Sequence, residues 1–133
     1  MLTIAEATAT RTTLHRQVKR QTPWGIADFA TSFGPGVTFY TTPSHGGFFV
    51  ATPDAMPESL RKRSDRYCGF QWYEEDCEAA LVVVAHPELF TPDERVRALG
   101  CVKAFYPTQH AAYLLTEHYR QHGDGAEVAS CSK

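Results

Sequence analysis

The chain has 133 residues, 43% hydrophobic, 12% aromatic and 21% charged, with 13 Lys and Arg against 15 Asp and Glu. That suits one domain, long enough to bury roughly two-thirds of its unfolded surface without disulfides or a structural metal. A formal charge of -2 argues against a protein that blankets phosphates, and no apolar run approaches the ~20 residues of a membrane span.

The opening Met1-Leu2-Thr3-Ile4-Ala5-Glu6 lacks the basic and apolar regions of a secretion signal, so the cytoplasm is the expected compartment. Residues 1–13, rich in Thr and Ala, and the closing 123–133 are expected to fray. Leu14 to Gln21 alternates enough to extend a first strand or add an edge. From Thr22 to Ala51 the texture is β. A strand over Trp24 to Ala30, a turn at Phe33-Gly34-Pro35-Gly36, a strand over Val37 to Thr41, a turn at 42–47 and a strand over Phe48 to Ala51 make an antiparallel meander.

Past Thr52 the period changes. Pro53 to Arg63 predicts a short helical turn around Met56, Pro57 and Leu60, followed by a polar loop from Arg61 to Gly69. Glu74 to His86 places acids in a first turn and Cys77, Ala80, Leu81 and Val84 at helical spacing; apolar nearly all round, it predicts a central buried helix, with Val82-Val83-Val84 keeping a strand open. Thr91-Pro92-Asp93-Glu94 is an N-cap, a proline at the first helical position and a capping-box acid, so a helix over 92–106 follows, with Val96, Leu99, Val102 and Tyr106 as its face. Pro107 restarts the chain into a last helix striped by Ala111, Ala112, Leu115, His118 and Tyr119 and closed by Gly123. The expected fold is α+β: a small antiparallel sheet of three or four strands followed by three to four helices.

Two clusters bear on chemistry. His45-Gly46-Gly47 couples a titratable imidazole to residues that allow close approach by a ligand or another segment, and reads equally as a sharp strand connection. Gln71-Trp72-Tyr73-Glu74-Glu75-Asp76 sets three carboxylates beside two aromatics; on a helix they diverge by about 100° each, so two at most share a site. His45 with Glu75 or Asp76 would make an oriented general base, although no Gly-x-Ser-x-Gly elbow supplies a nucleophile. His118 and His122 share a helix face and either pair on a metal with an outside ligand or favour the helix dipole. Cys68, Cys77, Cys101 and Cys131 lack Cys-x-x-Cys spacing; Cys77 and Cys101 read as core. His45 with Glu74 or Asp76 also offers the imidazole and carboxylates that suit several divalent ions, but no His-Glu-x-x-His and no cofactor motif is present in the sequence. Basic groups gather at Arg11, Arg16, Lys19 and Arg20 and at Arg61, Lys62, Arg63 and Arg66, without the interleaved aromatics of an RNA platform.

The ordered string Thr22-Pro23-Trp24-Gly25, Gly36 to Thr42, His45-Gly46-Gly47-Phe48, Met56-Pro57, Trp72-Tyr73-Glu74-Glu75-Asp76, Pro87 to Phe90 and Ala104 to Pro107 resembles a family of small uncharacterised bacterial domains, often encoded on plasmids, phages and other mobile elements. The resemblance spans residues 22–107 and implies a genetic setting in which an anti-CRISPR-like or antirestriction role is expected. A non-enzymatic inhibitor would bind a bacterial protein complex such as a CRISPR effector. Its contact surface would be Glu74, Glu75 and Asp76 or the basic run Arg61, Lys62, Arg63 and Arg66, with Trp72 and Tyr73 as anchors. The alternative is a small hydrolase using His45 with Glu75 or Asp76.

Overall fold

Val37–Thr41 carries β-forming side chains throughout and Gly46–Val50 carries them at Phe48, Phe49 and Val50, and in the computed structural model, which describes residues 11–14, 18–62 and 71–122, the two segments form the middle of a sheet. Taken in chain order, the strands are β1 (Thr12–Leu14), β2 (Arg20–Thr22), β3 (Gly25–Ala27), β4 (Phe29–Gly34), β5 (Val37–Thr41), β6 (Gly46–Val50) and β7 (Trp72–Glu74). Five join antiparallel in the order β1-β4-β5-β6-β7, while β2 and β3 form a separate two-stranded ribbon. The helices are α1 (Glu78–Ala85), α2 (Pro92–Phe105) and α3 (Pro107–His122), with short 3-10 turns at Pro53–Ala55, Glu58–Leu60 and Pro87–Leu89.

Because successive strand residues point to opposite faces, the register sorts the sheet. Phe39, Phe48 and Tyr73 are paired neighbours on one face, which the helices cover. Tyr40, Gly47 and Glu74, with Phe49 and Trp72, line the other. The core between sheet and helices holds Val37, Phe48, Val50, Met56, Leu60, Tyr73, Leu81, Val82 and Val102. α1, apolar on all sides, lies in this layer against β7 and α2, and α3 packs on α2 and on the Glu58–Leu60 turn. A Gln109 amide on α3 fastens that turn by donating to the carbonyls of Ser59 and Arg61.

The α+β class, the turn at residues 35–36, the two central strands and the capping box of α2 match the sequence reading. In α2, Thr91 accepts from the Glu94 amide and the Glu94 side chain accepts from the Thr91 amide. Four expectations are corrected. The strand expected over 24–30 divides, with Trp24 in the ribbon turn and β4 beginning at Phe29, so the sheet has five strands beside a ribbon rather than three or four. The helix expected from Glu74 begins at Glu78, because Trp72-Tyr73-Glu74 pairs with β6 instead. The stripes expected on the last two helices lie largely outward. Val96 is 71% and Leu115 55% exposed; of the expected α2 face Val102 is buried as read, but Ala98 rather than Val96 or Leu99 joins it, and Gln109 faces inward on α3, since the neighbours rather than the period choose the buried face. Finally, the turn expected over 42–47 is shorter, because Gly46 and Gly47 pair with Thr41 and Tyr40 as the start of β6. The remaining expectations, on Arg16, Arg63, Arg66, Cys68, Gly123 and Cys131, fall outside the described residues.

Candidate binding groove on the outer sheet face

Among the described residues no helix lies against the outer face of the sheet, and the β2-β3 ribbon lies there instead. Its turn is locked by Thr22, whose hydroxyl donates to the Gly25 carbonyl at 2.7 Å and accepts from the Trp24 amide at 3.1 Å. Trp24 is thereby aimed at the sheet, where its ring meets Trp72 edge-on with centroids 5.8 Å apart. The contact needs Gly47: a Cβ there would stand 2.3 Å from the Trp24 ring and 2.5 Å from the Tyr73 carbonyl oxygen. Gly46 is equally confined, by the Phe39 ring at 2.9 Å. The two glycines of His45-Gly46-Gly47 thus admit the protein's own aromatic rings, and the Thr22–Gly25 and His45–Phe48 motifs are halves of one clamp.

Beside Trp24 the ribbon and the sheet enclose an open groove of about 410 Å³, lined by Arg20, Gln21, Thr22, Pro23, Phe49, Gln71 and Trp72. Phe49 and Trp72 form its floor with ring centroids 4.6 Å apart, and Tyr40 continues the aromatic surface 5.8 Å from Trp72. Exposed Arg20 sets its guanidinium 5.2 Å from the Phe49 centroid and 5.4 Å from that of Trp72, a cation held over π-faces while its charge stays in water. On the sheet side Gln71 is fixed by donating to the Ala51 carbonyl at 2.8 Å.

On the same face, Glu74 stands opposite Gly47 in the register and meets His45 Nδ1 at 3.4 Å. The carboxylate paired with the imidazole is therefore Glu74, not Glu75 or Asp76, which lie exposed in the turn leading to α1. The Thr42 hydroxyl beside them is committed to the backbone, donating to the His45 carbonyl and accepting from its amide, each at 3.0 Å. Two expected contact residues point inward: Tyr73 is fully buried, and Lys62 is buried with Nζ 3.7 Å from Glu78 and 5.6 Å from the Tyr73 ring centroid. Trp72, although 4% exposed, presents its buried ring as the groove floor rather than as a protruding anchor. Arg61 is tied to the Met56 carbonyl at 2.9 Å. Arg20, Gln21 and Gln71 enter the site only through the fold; in sequence the signal was their adjacency to Thr22-Pro23-Trp24-Gly25 and Trp72-Tyr73-Glu74.

Elsewhere, Arg11 lies 4.5 Å over the Phe33 ring and bonds the Glu94 carboxylate. Burial raises that carboxyl, but the bonds from Arg11 and Thr91 outweigh it and hold Glu94 below the usual carboxylate range. His118 and His122 stack with centroids 4.3 Å apart, and His122 Nδ1 is 2.9 Å from the His118 carbonyl oxygen. Among the described residues no group of three His, Cys, Asp or Glu stands together as a metal site, and no helix is long and apolar enough to cross a membrane.

These features define a small α+β domain with an aromatic groove between a ribbon and the uncovered face of its sheet. The chain belongs to the family described as a domain of unknown function, DUF7007, whose model matches residues 17–128. No curated protein and no solved structure matches it.

Proposed function

We propose that the protein is a non-enzymatic binding domain, encoded by a mobile element and acting in the bacterial cytoplasm, that inhibits a host defence complex by seating a segment of it in the outer-face groove. The observation that carries this reading is the groove itself: an aromatic floor that gives contact area, and a cationic wall that gives charge selectivity. Arg20, with exposed Lys19 beside it, favours a protein segment in which an acidic residue adjoins an apolar one. An anti-CRISPR-like or antirestriction target fits the genetic setting that the sequence resemblance implies. Exposed Glu75 and Asp76 would lie at the rim of such an interface. The His45–Glu74 contact favours the competing hydrolytic reading, in which the imidazole is the base.

The test is co-purification of the tagged full chain from its bacterial host at moderate salt. Binding predicts a stoichiometric complex that Arg20→Glu abolishes and His45→Ala leaves intact. A complex indifferent to Arg20→Glu, or turnover of a substrate that disappears with His45→Ala, would overturn the proposal.

A further inference from the structure

His118 and His122 stand at positions i and i+4 of α3, on one face of its last turns. Both are exposed, and their rings stack with centroids 4.3 Å and planes 27° apart. His122 Nδ1 lies 2.9 Å from the His118 carbonyl oxygen. A carbonyl oxygen only accepts, so that nitrogen carries the proton, and the lone pair of the neutral ring falls on Nε2. Metal-binding histidines are oriented in this way, one ring nitrogen donating to a backbone carbonyl while the other ligates. Two nitrogens held at about 2.0–2.1 Å from one ion stand roughly 3 Å apart, so rings already stacked at 4.3 Å need only side-chain rotation to share one. Arg120, between them in sequence, is neutralised by donating to both Glu117 carboxylate oxygens, at 3.1 and 2.7 Å. In sequence the pair fits either a metal or the helix dipole; the bond to the carbonyl and the stack of rings favour the metal.

We propose that His118 and His122 are an open two-donor site for a divalent transition ion of the kind imidazole takes, zinc(II), nickel(II) or, most tightly, copper(II), with water in the remaining positions. The donors set the class, because magnesium and calcium call for oxygen ligands. One exposed imidazole is a weak ligand; affinity comes from the second, which its place one turn away holds at high local concentration. The bound ion ties residues 118 and 122 together and so stabilises the end of α3 in proportion to occupancy. No residue lining the groove belongs to α3, so the site stands or falls independently of what the groove binds.

The experiment titrates zinc(II) by calorimetry into the folded full chain carrying Cys68→Ser/Cys131→Ser, which removes two competing thiols. The expected result is saturable binding that His118→Gln and His122→Gln each weaken at least about tenfold, while His110→Gln leaves it unchanged. Both side chains of the pair are exposed and glutamine is a good helix former, so these variants keep the fold. Arg120→His/His122→Gln retains two imidazoles but sets them two residues apart, on different faces, and should not restore binding. Amide exchange at residues 118–122 should slow when zinc is added. Undiminished binding in either single variant or in the re-spaced one, equal dependence on His110, unchanged exchange at 118–122, or no saturable binding in the millimolar range would each overturn the proposal.

Discussion

Replacing Gly47 by Ala tests whether the ribbon is clamped to the sheet as described. The added methyl would lie 2.3 Å from the Trp24 ring and 2.5 Å from the Tyr73 carbonyl oxygen, whereas carbon atoms pack at about 3.5–4.0 Å. Tyr73 is backbone in the adjacent strand, so relief requires moving Trp24 by more than 1 Å, roughly, or loosening the β6–β7 ladder. Overpacking of this kind costs about 1–3 kcal/mol, and losing the edge-on contact with Trp72 adds about 0.5–1.5 kcal/mol. The expected destabilisation is therefore about 2–4 kcal/mol, read as a lower urea midpoint at unchanged m-value. A double-mutant cycle with Trp24→Ala isolates the ring from the carbonyl: the paired variant should lose at least about 1 kcal/mol less than the sum of the single variants. Gly47→Ala within about 0.5 kcal/mol of the natural chain, or strict additivity, would refute the clamp.

Other consequences are as concrete. Thr91→Ala removes the hydroxyl that accepts from Glu94 and should cost about 1 kcal/mol in denaturant unfolding, while Thr91→Ser should cost little. Lys62→Glu should unfold the domain rather than merely weaken binding, because it sets a carboxylate against Glu78 in a buried position; breaking such a pair costs about 3–5 kcal/mol, measured by circular dichroism. Burial holds the His86 imidazole below its ordinary value despite Glu88, so the folded state binds fewer protons than the unfolded chain. That contribution is complete above the unfolded value of about 6.5 and is lost as pH falls through the folded one. Glu94, also lowered, acts with the same sign further into acid, below about 4.5. Thermal midpoints should therefore fall on acidification from pH 7, and His86→Gln should flatten the portion near neutrality.

How much of this was legible in the sequence follows from the range of each interaction. The α2 cap was readable because Thr91, Pro92 and Glu94 settle it within one turn of chain. The central strands are legible at Val37–Thr41 and Phe48 to Val50, which carry their own β-propensity, but Gly46 and Gly47 read as turn because only their pairing with Thr41 and Tyr40 makes them strand. The ribbon was not: β2 and β3 have three residues each, too few to show a period, and they are held by one threonine and one tryptophan. Sequence spacing could not choose Glu74 over Glu75 and Asp76 as the partner of His45, because that depends on pairing Gly47 with Glu74 across two strands. The glycines beside His45 read as room for a ligand or for another segment, and only the fold reveals that Trp24 and Phe39 take that space. Trp72 reads as an anchor from its chemistry alone, but its role as a floor under Arg20 depends on the ribbon being in place.

The central claim is that partners seat in the groove between the ribbon and the sheet. Hydrogen exchange on the purified complex, compared with the free chain, tests it most directly. The account predicts added protection at Arg20 to Trp24 and at Gln71 and Trp72, with the outward faces of α2 and α3 around Val96, Leu99, Leu114 and Leu115 unchanged. Protection confined to those helices, with the ribbon exchanging as in the free chain, would contradict it.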